Sequence, residues 1–197
     1  WKELWSESEY YQFDRIRYDI AHFDIHPPLY FWALHWWSSI VGVELSTGPL
    51  LNIFFHVFTS FLIFLICIRL RCSSLMAVTV GLLWLLNGSI ISVAQETRQY
   101  GFLAFSSVLF LLSLLEWIRK KSNWTLFFVI ITTSLGMLIH YHFALLLGVS
   151  VLYISISLIR MKQWVYLFKL LISLGIAALV FLSIHPEFLL SFERQGQ

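Results

Sequence analysis

The chain has 197 residues, of which 59% are hydrophobic and 12% are charged, and its mean hydropathy is +0.78. Soluble domains carry about 25% charged residues, so this composition excludes a soluble globular domain and indicates an integral membrane protein. The formal net charge of +2 by itself points to no partner, and we expect membrane lipids and no nucleic acid around the chain.

The chain begins with a polar and aromatic segment, residues 1–28, which we expect to face water. The apolar run Pro27–Val43 follows and is rich in aromatic rings. Two prolines suit the start of a helix, and the run is short for a membrane span, which needs about 20 residues. We therefore interpret Pro27–Val43 as a juxtamembrane helix that lies in the headgroup region.

Six longer apolar runs follow in the sequence. They are Leu50–Leu70, Ser74–Ala94, Gly101–Trp117, Trp124–His140, Phe143–Ile159 and Trp164–Ile184. The sequence therefore predicts an all-α, polytopic transmembrane bundle in which residues 1–49 form an extracytoplasmic loop with its juxtamembrane helix and residues 50–197 form about six spans.

The loops between these runs alternate in character. Basic residues occupy every second loop, at Arg69–Arg71, Arg119–Lys121 and Arg160–Lys162. Positively charged loops face the cytoplasm, so we expect Gln95–Tyr100 and His140–His142 to lie on the outer face. If Pro27–Val43 spanned the membrane instead, either the N-terminal segment would be cytoplasmic or the basic loops would lie on the wrong side.

Three short polar motifs fall on the predicted outer face. In His26-Pro27-Pro28-Leu29-Tyr30, the prolines open a helix with His26 at its mouth, where an N-terminus favours anions; an ordinary proline helix start is the alternative. In Gln95-Glu96-Thr97-Arg98-Gln99-Tyr100, the Arg98 guanidinium can hold a phosphate by paired hydrogen bonds, and Glu96 can bind a metal or orient a nucleophile. The alternative is a snorkelling arginine beside a solvated acid.

The third motif, His140-Tyr141-His142, places two imidazoles at the predicted end of a helix. They suit a pair of metal ligands in an extended segment, although histidines that only hydrogen-bond at the interface are the alternative. Glu96, His140 and His142 are therefore the candidate ligands of a divalent metal ion, whose requirement stays open.

These motifs follow an acidic segment, Leu4-Trp5-Ser6-Glu7, and in this order they resemble those of known membrane enzymes. The chain resembles the polyprenyl-phosphate-sugar-dependent membrane glycosyltransferases of the protein mannosyltransferase and aminoarabinose transferase type, which are family 39-like and have the GT-C fold. The resemblance covers nearly the whole chain but only about the N-terminal half of such a protein. We therefore expect an earlier span and a C-terminal part to belong to the full protein.

The resemblance implies a multi-pass protein of the plasma (inner) membrane with its active site at the outer face. The donor would be a sugar on a polyprenyl phosphate, and the acceptor a lipid, a glycan or a protein. An acid of the first loop would be the base; Glu7 matches it, and Glu9 is the other candidate because the family usually has two adjacent acids there. His26, Tyr30, Arg98 and Tyr100 would bind substrate and its phosphate.

In the mechanism that the resemblance implies, an acceptor hydroxyl attacks the anomeric carbon as Glu7 or Glu9 takes its proton. His26 and Arg98 stabilise the leaving phosphate, and the single displacement inverts the anomeric centre. A membrane transporter or lipid-linked-sugar flippase is the alternative, since it too needs polar groups within a bundle. That class predicts ionisable residues near mid-bilayer, whereas this sequence concentrates them towards one face.

Overall fold

The structure is a computed structural model that describes residues 13–23, 26–186 and 188. Within those ranges all regular structure is helical and no strand is present. The helices are α1 (Phe13–Phe23), α2 (Leu29–Val41), α3 (Thr47–Arg69), α4 (Ser74–Leu85), α5 (Gly88–Ala94), α6 (Tyr100–Lys120), α7 (Asn123–Ile139), α8 (Phe143–Arg160) and α9 (Trp164–Ile184). The predicted bases Glu7 and Glu9 lie outside the described residues.

Four helices, α3, α6, α8 and α9, are long and apolar enough to cross a membrane. The pair α4 and α5 makes a fifth candidate if the two count as one span, although their axes are bent by 54°. Large apolar side chains such as Leu152, Tyr153 and Leu179 are exposed on these helices, as expected where lipid rather than protein surrounds them. The regular structure of the described residues is thus entirely helical, and the chain is a multi-pass membrane protein.

Two further apolar helices are shorter than a span. Helix α7 has 17 residues and reaches about 25 Å, less than the hydrocarbon thickness of about 30 Å. Helix α2 has 13 residues and reaches about 20 Å, which is compatible with the predicted juxtamembrane position. The number of about six spans therefore stays a prediction, with four or five supported by length and composition.

The bend between α4 and α5 has a local cause at Asn87. Its Oδ1 accepts hydrogen bonds from the backbone N–H groups of Ser89 at 3.0 Å and Ile90 at 3.2 Å. In a continuous helix these groups would bind the carbonyls of Leu85 and Leu86. An asparagine that caps a new helix thus ends α4 and redirects the chain.

Helix α6 occupies the centre of the bundle, between α3 on one side and α7 on the other. A core of buried apolar residues from α6, α7, α8 and α9 includes Phe110, Trp117 and Leu170. Polar contacts also join neighbouring helices, since Ser113 of α6 and Thr132 of α7 share a hydrogen bond of 2.9 Å. Small polar residues of this kind commonly fasten helices together in membranes.

A second core attaches the first two helices to the bundle. Its buried residues are Ile16 and Ile20 of α1, Tyr30, Phe31 and Leu34 of α2, and Leu51 and Phe55 of α3. The Trp32 indole of α2 also donates a hydrogen bond of 2.9 Å to the carbonyl of Phe13. Helices α1 and α2 are therefore packed against one end of α3 and do not form a separate unit.

The bundle has two chemically distinct ends. At the basic end, formed by Arg69–Arg71, Arg119–Lys121 and Arg160–Lys162, Glu116 is ion-paired with Arg69 and, at 2.9 Å, with Lys120. Lys121 also hydrogen-bonds Gln163, which directly follows the third basic segment. The three polar motifs meet at the other end, called here the motif end, whose assignment to the outer face stays a prediction.

Candidate functional site at the motif end

His140 is the centre of a cluster of four side chains at the motif end. It lies directly after α7 and is buried, with 7% of its surface exposed. The ring of His26 lies edge-on at 5.6 Å between centroids, and that of Tyr100 is stacked at 6.0 Å. His142 is nearer, at 4.6 Å. Three motifs that are far apart in the sequence therefore converge on one imidazole.

Hydrogen bonds define the protonation of His140. Nδ1 of His140 accepts a hydrogen bond of 3.1 Å from the backbone N–H of His142. The same atom lies 3.1 Å from Nδ1 of His142. A backbone amide can only donate, so Nδ1 of His140 carries no proton and a neutral ring has its N–H at Nε2. Burial, together with the neighbouring His142 and His26, lowers the pKa of His140 to about 4. His140 is thus neutral at physiological pH.

The Gln95–Tyr100 motif is an irregular turn between α5 and α6, and α3 holds it in place. Asn52 of α3 is fully buried, and its Nδ2 donates to the carbonyls of Glu96 at 2.5 Å and Arg98 at 3.0 Å. Gly101 permits this approach, because a Cβ there would come within 3.1 Å of Asn52 Oδ1. The turn that carries the motif is therefore bound to the bundle through its backbone, while the side chains of Glu96 and Arg98 stay exposed.

Asn52 also connects this turn with the first motif. The Tyr30 side chain is 1% exposed and lies beside Asn52. Burial raises the pKa of the Tyr30 hydroxyl well above its usual range, and the Asn52 side chain offsets part of that effect. Tyr30 is thus a buried, protonated phenol that helps to fix α2 on α3, and its role in substrate binding stays a prediction.

Glu96 and Arg98 point away from the protein interior. Their side chains are 53% and 63% exposed, and Arg98 Nε lies 3.4 Å from Glu96 Oε2. An ion pair this exposed contributes less than about 1 kcal/mol to stability, so it would exchange readily for a phosphate contact. Both residues are presented at the rim of the site, as an anion-binding arginine requires.

The predicted metal ligands do not assemble into a metal site. Within the described ranges, no three His, Cys, Asp or Glu side chains come together as a group that could hold a metal ion. His140 and His142 are close to one another, whereas Glu96 is paired with Arg98. A divalent metal ion therefore stays a prediction, and these residues do not provide its ligands as a set of three.

Three further residues shape this end, and none of them was predicted as a site residue. Asn52 has one visible signal, an amide within an apolar run. Gly48 allows Thr97 to pack against α3, since a Cβ at Gly48 would come within 2.7 Å of Thr97 Cβ. The imidazole of His185, completely buried after α9, is 3.0 Å from the hydroxyl of Tyr141. His185 lies in a short polar segment whose sequence signal for a site is weaker than that of the three motifs.

Comparison with known proteins leaves the family open. No family model matches the chain, and no curated protein or solved structure is similar to it.

Proposed function

We propose that the chain belongs to a membrane glycosyltransferase that moves a sugar from a polyprenyl-phosphate donor to a lipid, glycan or protein acceptor. The observation that supports this most is the convergence of His26, Tyr100 and His142 around His140. These residues come from three of the four segments on which the resemblance rests. A structural role for each motif alone would not require all three to meet at the same end of the bundle.

The proposed reaction assigns a separate task to each group. Glu7 or Glu9 takes the proton of the acceptor hydroxyl as its oxygen attacks the anomeric carbon. The bond from that carbon to the phosphate oxygen breaks, and the lipid phosphate leaves as an anion with inversion at the sugar. Arg98, together with the N–H donors of the imidazole cluster, stabilises the negative charge on the phosphate.

The decisive experiment is transfer from radiolabelled polyprenyl-phosphate sugars in membranes that contain the full-length protein. Wild type is compared with Glu7→Gln, Glu9→Gln and the control Glu3→Gln in the same acidic segment. We expect one of the first two variants to lose transfer while its amount in the membrane is unchanged. Full transfer by both would overturn the carboxylate-base mechanism, and no transfer by wild type from any donor of a broad panel would overturn the enzyme class.

Binding of the lipid phosphate tests Arg98 separately. Arg98→Ala should weaken binding of a polyprenyl phosphate by about tenfold or more, because one charge-assisted hydrogen bond contributes about 1.5–3 kcal/mol. Arg71→Ala, at the basic end, is the matched control and should bind like wild type. Equal binding by both variants would remove the role proposed for Arg98.

The broken span formed by α4 and α5 favours a second candidate function, that of a transporter or flippase. Discontinuous helices are typical of secondary transporters, whose substrates bind near such breaks. A lipid-linked-sugar flippase would bind the same donor and move it across the membrane without transfer. Movement of a fluorescent donor analogue across proteoliposomes, with no sugar transfer, would favour that function.

A further inference from the structure

The break between α4 and α5 places irregular backbone at a depth where lipid tails cannot satisfy its hydrogen bonds. Helix α4 starts at the basic end and has 12 residues, so the break is about 18 Å from that end. The hydrocarbon core is about 30 Å thick. With α4 taken to begin at the hydrocarbon boundary, the break lies inside the hydrocarbon region, about 12 Å short of the opposite boundary.

The break exposes polar groups at that depth. Since Asn87 takes the N–H groups of Ser89 and Ile90, the carbonyls of Leu85 and Leu86 lose their helical donors. Asn87, Gly88 and Ser89 are all exposed. Irregular backbone does not face lipid tails, and it persists in membranes only inside protein or beside a water-filled cavity. The surface at Asn87–Ser89 is thus unsuited to lipid.

Buried polar groups on α3 and α4 adjoin the break. His56 of α3 is 7% exposed, and its ring lies 6.1 Å from that of Trp84, in the last turn of α4. Neither nitrogen of His56 nor the indole nitrogen of Trp84 has a hydrogen-bond partner among the described residues. A buried polar group without a partner costs about 1–3 kcal/mol, so these three atoms would be stabilised by hydrogen bonds to a ligand or to water.

The depth of His56 agrees with that of the break. About 20 Å of helix separates His56 from Arg69 at the basic end of α3, against about 18 Å for the break. One turn nearer the basic end, the Ser60 hydroxyl donates to the carbonyl of Gly81 at 2.9 Å and fastens α4 to α3. Asn52, one turn nearer the motif end, binds the Gln95–Tyr100 turn. Polar side chains at Asn52, His56 and Ser60 thus form a row along α3 from the motif end past the level of the break.

We propose that His56, Trp84 and the α4–α5 break form an uncharged polar site within the membrane, open to water, for a neutral hydroxyl-bearing group. A neutral imidazole offers one donor and one acceptor, the indole one donor, and the released carbonyls only acceptors. These atoms are complementary to hydroxyl groups. None of them carries the charge that a phosphate or a cation would need.

The sugar of the lipid-linked substrate is the hydroxyl-bearing group that fits. This assignment rests on the proposed function, whereas the water-accessible site itself does not. An indole face also packs well against the apolar face of a sugar ring, which suits Trp84 beside His56. The charged phosphate would stay at the motif end with Arg98, and the neutral sugar would enter the membrane region.

Two glycines provide a matched test of water access. A Cβ at Gly88, in the break, or at Gly148, in the unbroken helix α8, would meet no atom within 4 Å. Both positions are exposed, and about 18 Å of helix separates Gly148 from Arg160 at the basic end. Gly88→Cys and Gly148→Cys therefore compare a broken with an unbroken span at similar depth. Each is made in the full-length protein with Cys67→Ala and Cys72→Ala.

A membrane-impermeant maleimide is then added from the side of the motif end. We expect Gly88→Cys to react on the order of tenfold faster than Gly148→Cys, because the thiolate that reacts forms in water and not in hydrocarbon. Equal rates would overturn the water-accessible site. The sugar-transfer assay in the same membranes tests the enzyme class independently of this result.

Protection from labelling identifies the occupant. Each lipid-linked hexose and pentose of the donor panel should slow labelling of Gly88→Cys if its sugar enters the site, and polyprenyl phosphate without a sugar should not. His56→Leu should abolish the protection and His56→Gln, which keeps a donor and an acceptor, should retain it. Equal protection by the sugar-free lipid, or none by any donor, would overturn the sugar assignment.

Discussion

Asn52 Nδ2 lies 3.0 Å from the carbonyl oxygen of Arg98, which is remote in sequence and lies in the turn between α5 and α6. The same nitrogen also binds the carbonyl of Glu96. One buried amide on a membrane helix thus satisfies two backbone groups of the irregular turn that carries Arg98. The geometry of the proposed phosphate site depends on a residue that would never touch the phosphate.

Replacement of Asn52 should weaken this attachment. Asn52→Ala removes both hydrogen bonds of Nδ2, whereas the carbonyl of Glu96 keeps the backbone N–H of Arg98 as a donor. We therefore expect the free energy of unfolding to fall by about 1–3 kcal/mol. Thermal unfolding in detergent measures the change. Asn123→Ala, which removes an exposed hydrogen bond to Lys169, should change stability by less than about 0.5 kcal/mol. Similar losses in both variants would contradict the role given to Asn52.

Because Gly48 packs closely against Thr97, we expect the effects of substitutions at these two residues on stability to be coupled. A methyl group at Gly48 would overlap the Thr97 side chain, so Gly48→Ala should reduce stability by about 1–3 kcal/mol. Thr97→Gly removes the overlapping atoms and should restore most of that loss in the double variant. A double-mutant cycle measures the coupling, and additive effects would show that the two residues do not meet.

A second glycine can be compared with one that has free space around it. A Cβ at Gly136 of α7 would overlap the buried ring of Phe143, the first residue of α8, whereas one at Gly175 of α9 would meet nothing within 4 Å. We expect Gly136→Ala to lose about 1–3 kcal/mol of stability and Gly175→Ala to remain within about 1 kcal/mol of wild type. Equal thermal stabilities of the two variants would contradict the close contact between α7 and α8.

The lowered pKa of His140 predicts a pH dependence of stability. The folded state holds this pKa at about 4, below the ordinary value of 6.5, so the unfolded chain takes up the proton first as the pH falls. The contribution of His140 is therefore fully present above pH 6.5 and is lost as the pH falls towards 4. Its upper limit is about 3 kcal/mol.

Unfolding measured in detergent between pH 7.5 and 4 tests this dependence. His140→Gln removes the titrating group and should flatten the slope of stability against pH in that window. His26 and His142 face the same ring. His142→Gln serves as the comparison and should retain most of the slope, because it keeps the His140 imidazole and its burial, the largest cause of the lowered pKa. An unchanged slope in His140→Gln would contradict the assignment.

Helix type and approximate limits were predictable from the apolar runs. The run Leu50–Leu70 corresponds to α3, Gly101–Trp117 to α6 and Trp164–Ile184 to α9, because an apolar run long enough to cross a membrane must satisfy its backbone hydrogen bonds internally. The two prolines likewise placed the start of α2, at Leu29. The break within Ser74–Ala94 was not predicted, since a single asparagine cap is a weak signal inside an apolar sequence.

Composition and the order of apolar runs determined by themselves that this is a helical membrane protein with a basic end and a separate set of polar motifs. Only the tertiary structure decided which residues meet. That His140 is the centre of the cluster, that Asn52 holds the turn of Arg98, and that His56 adjoins a broken span all depend on how neighbouring helices are rotated against one another. Such rotations follow from the packing of many side chains at once, and no local sequence pattern specifies them.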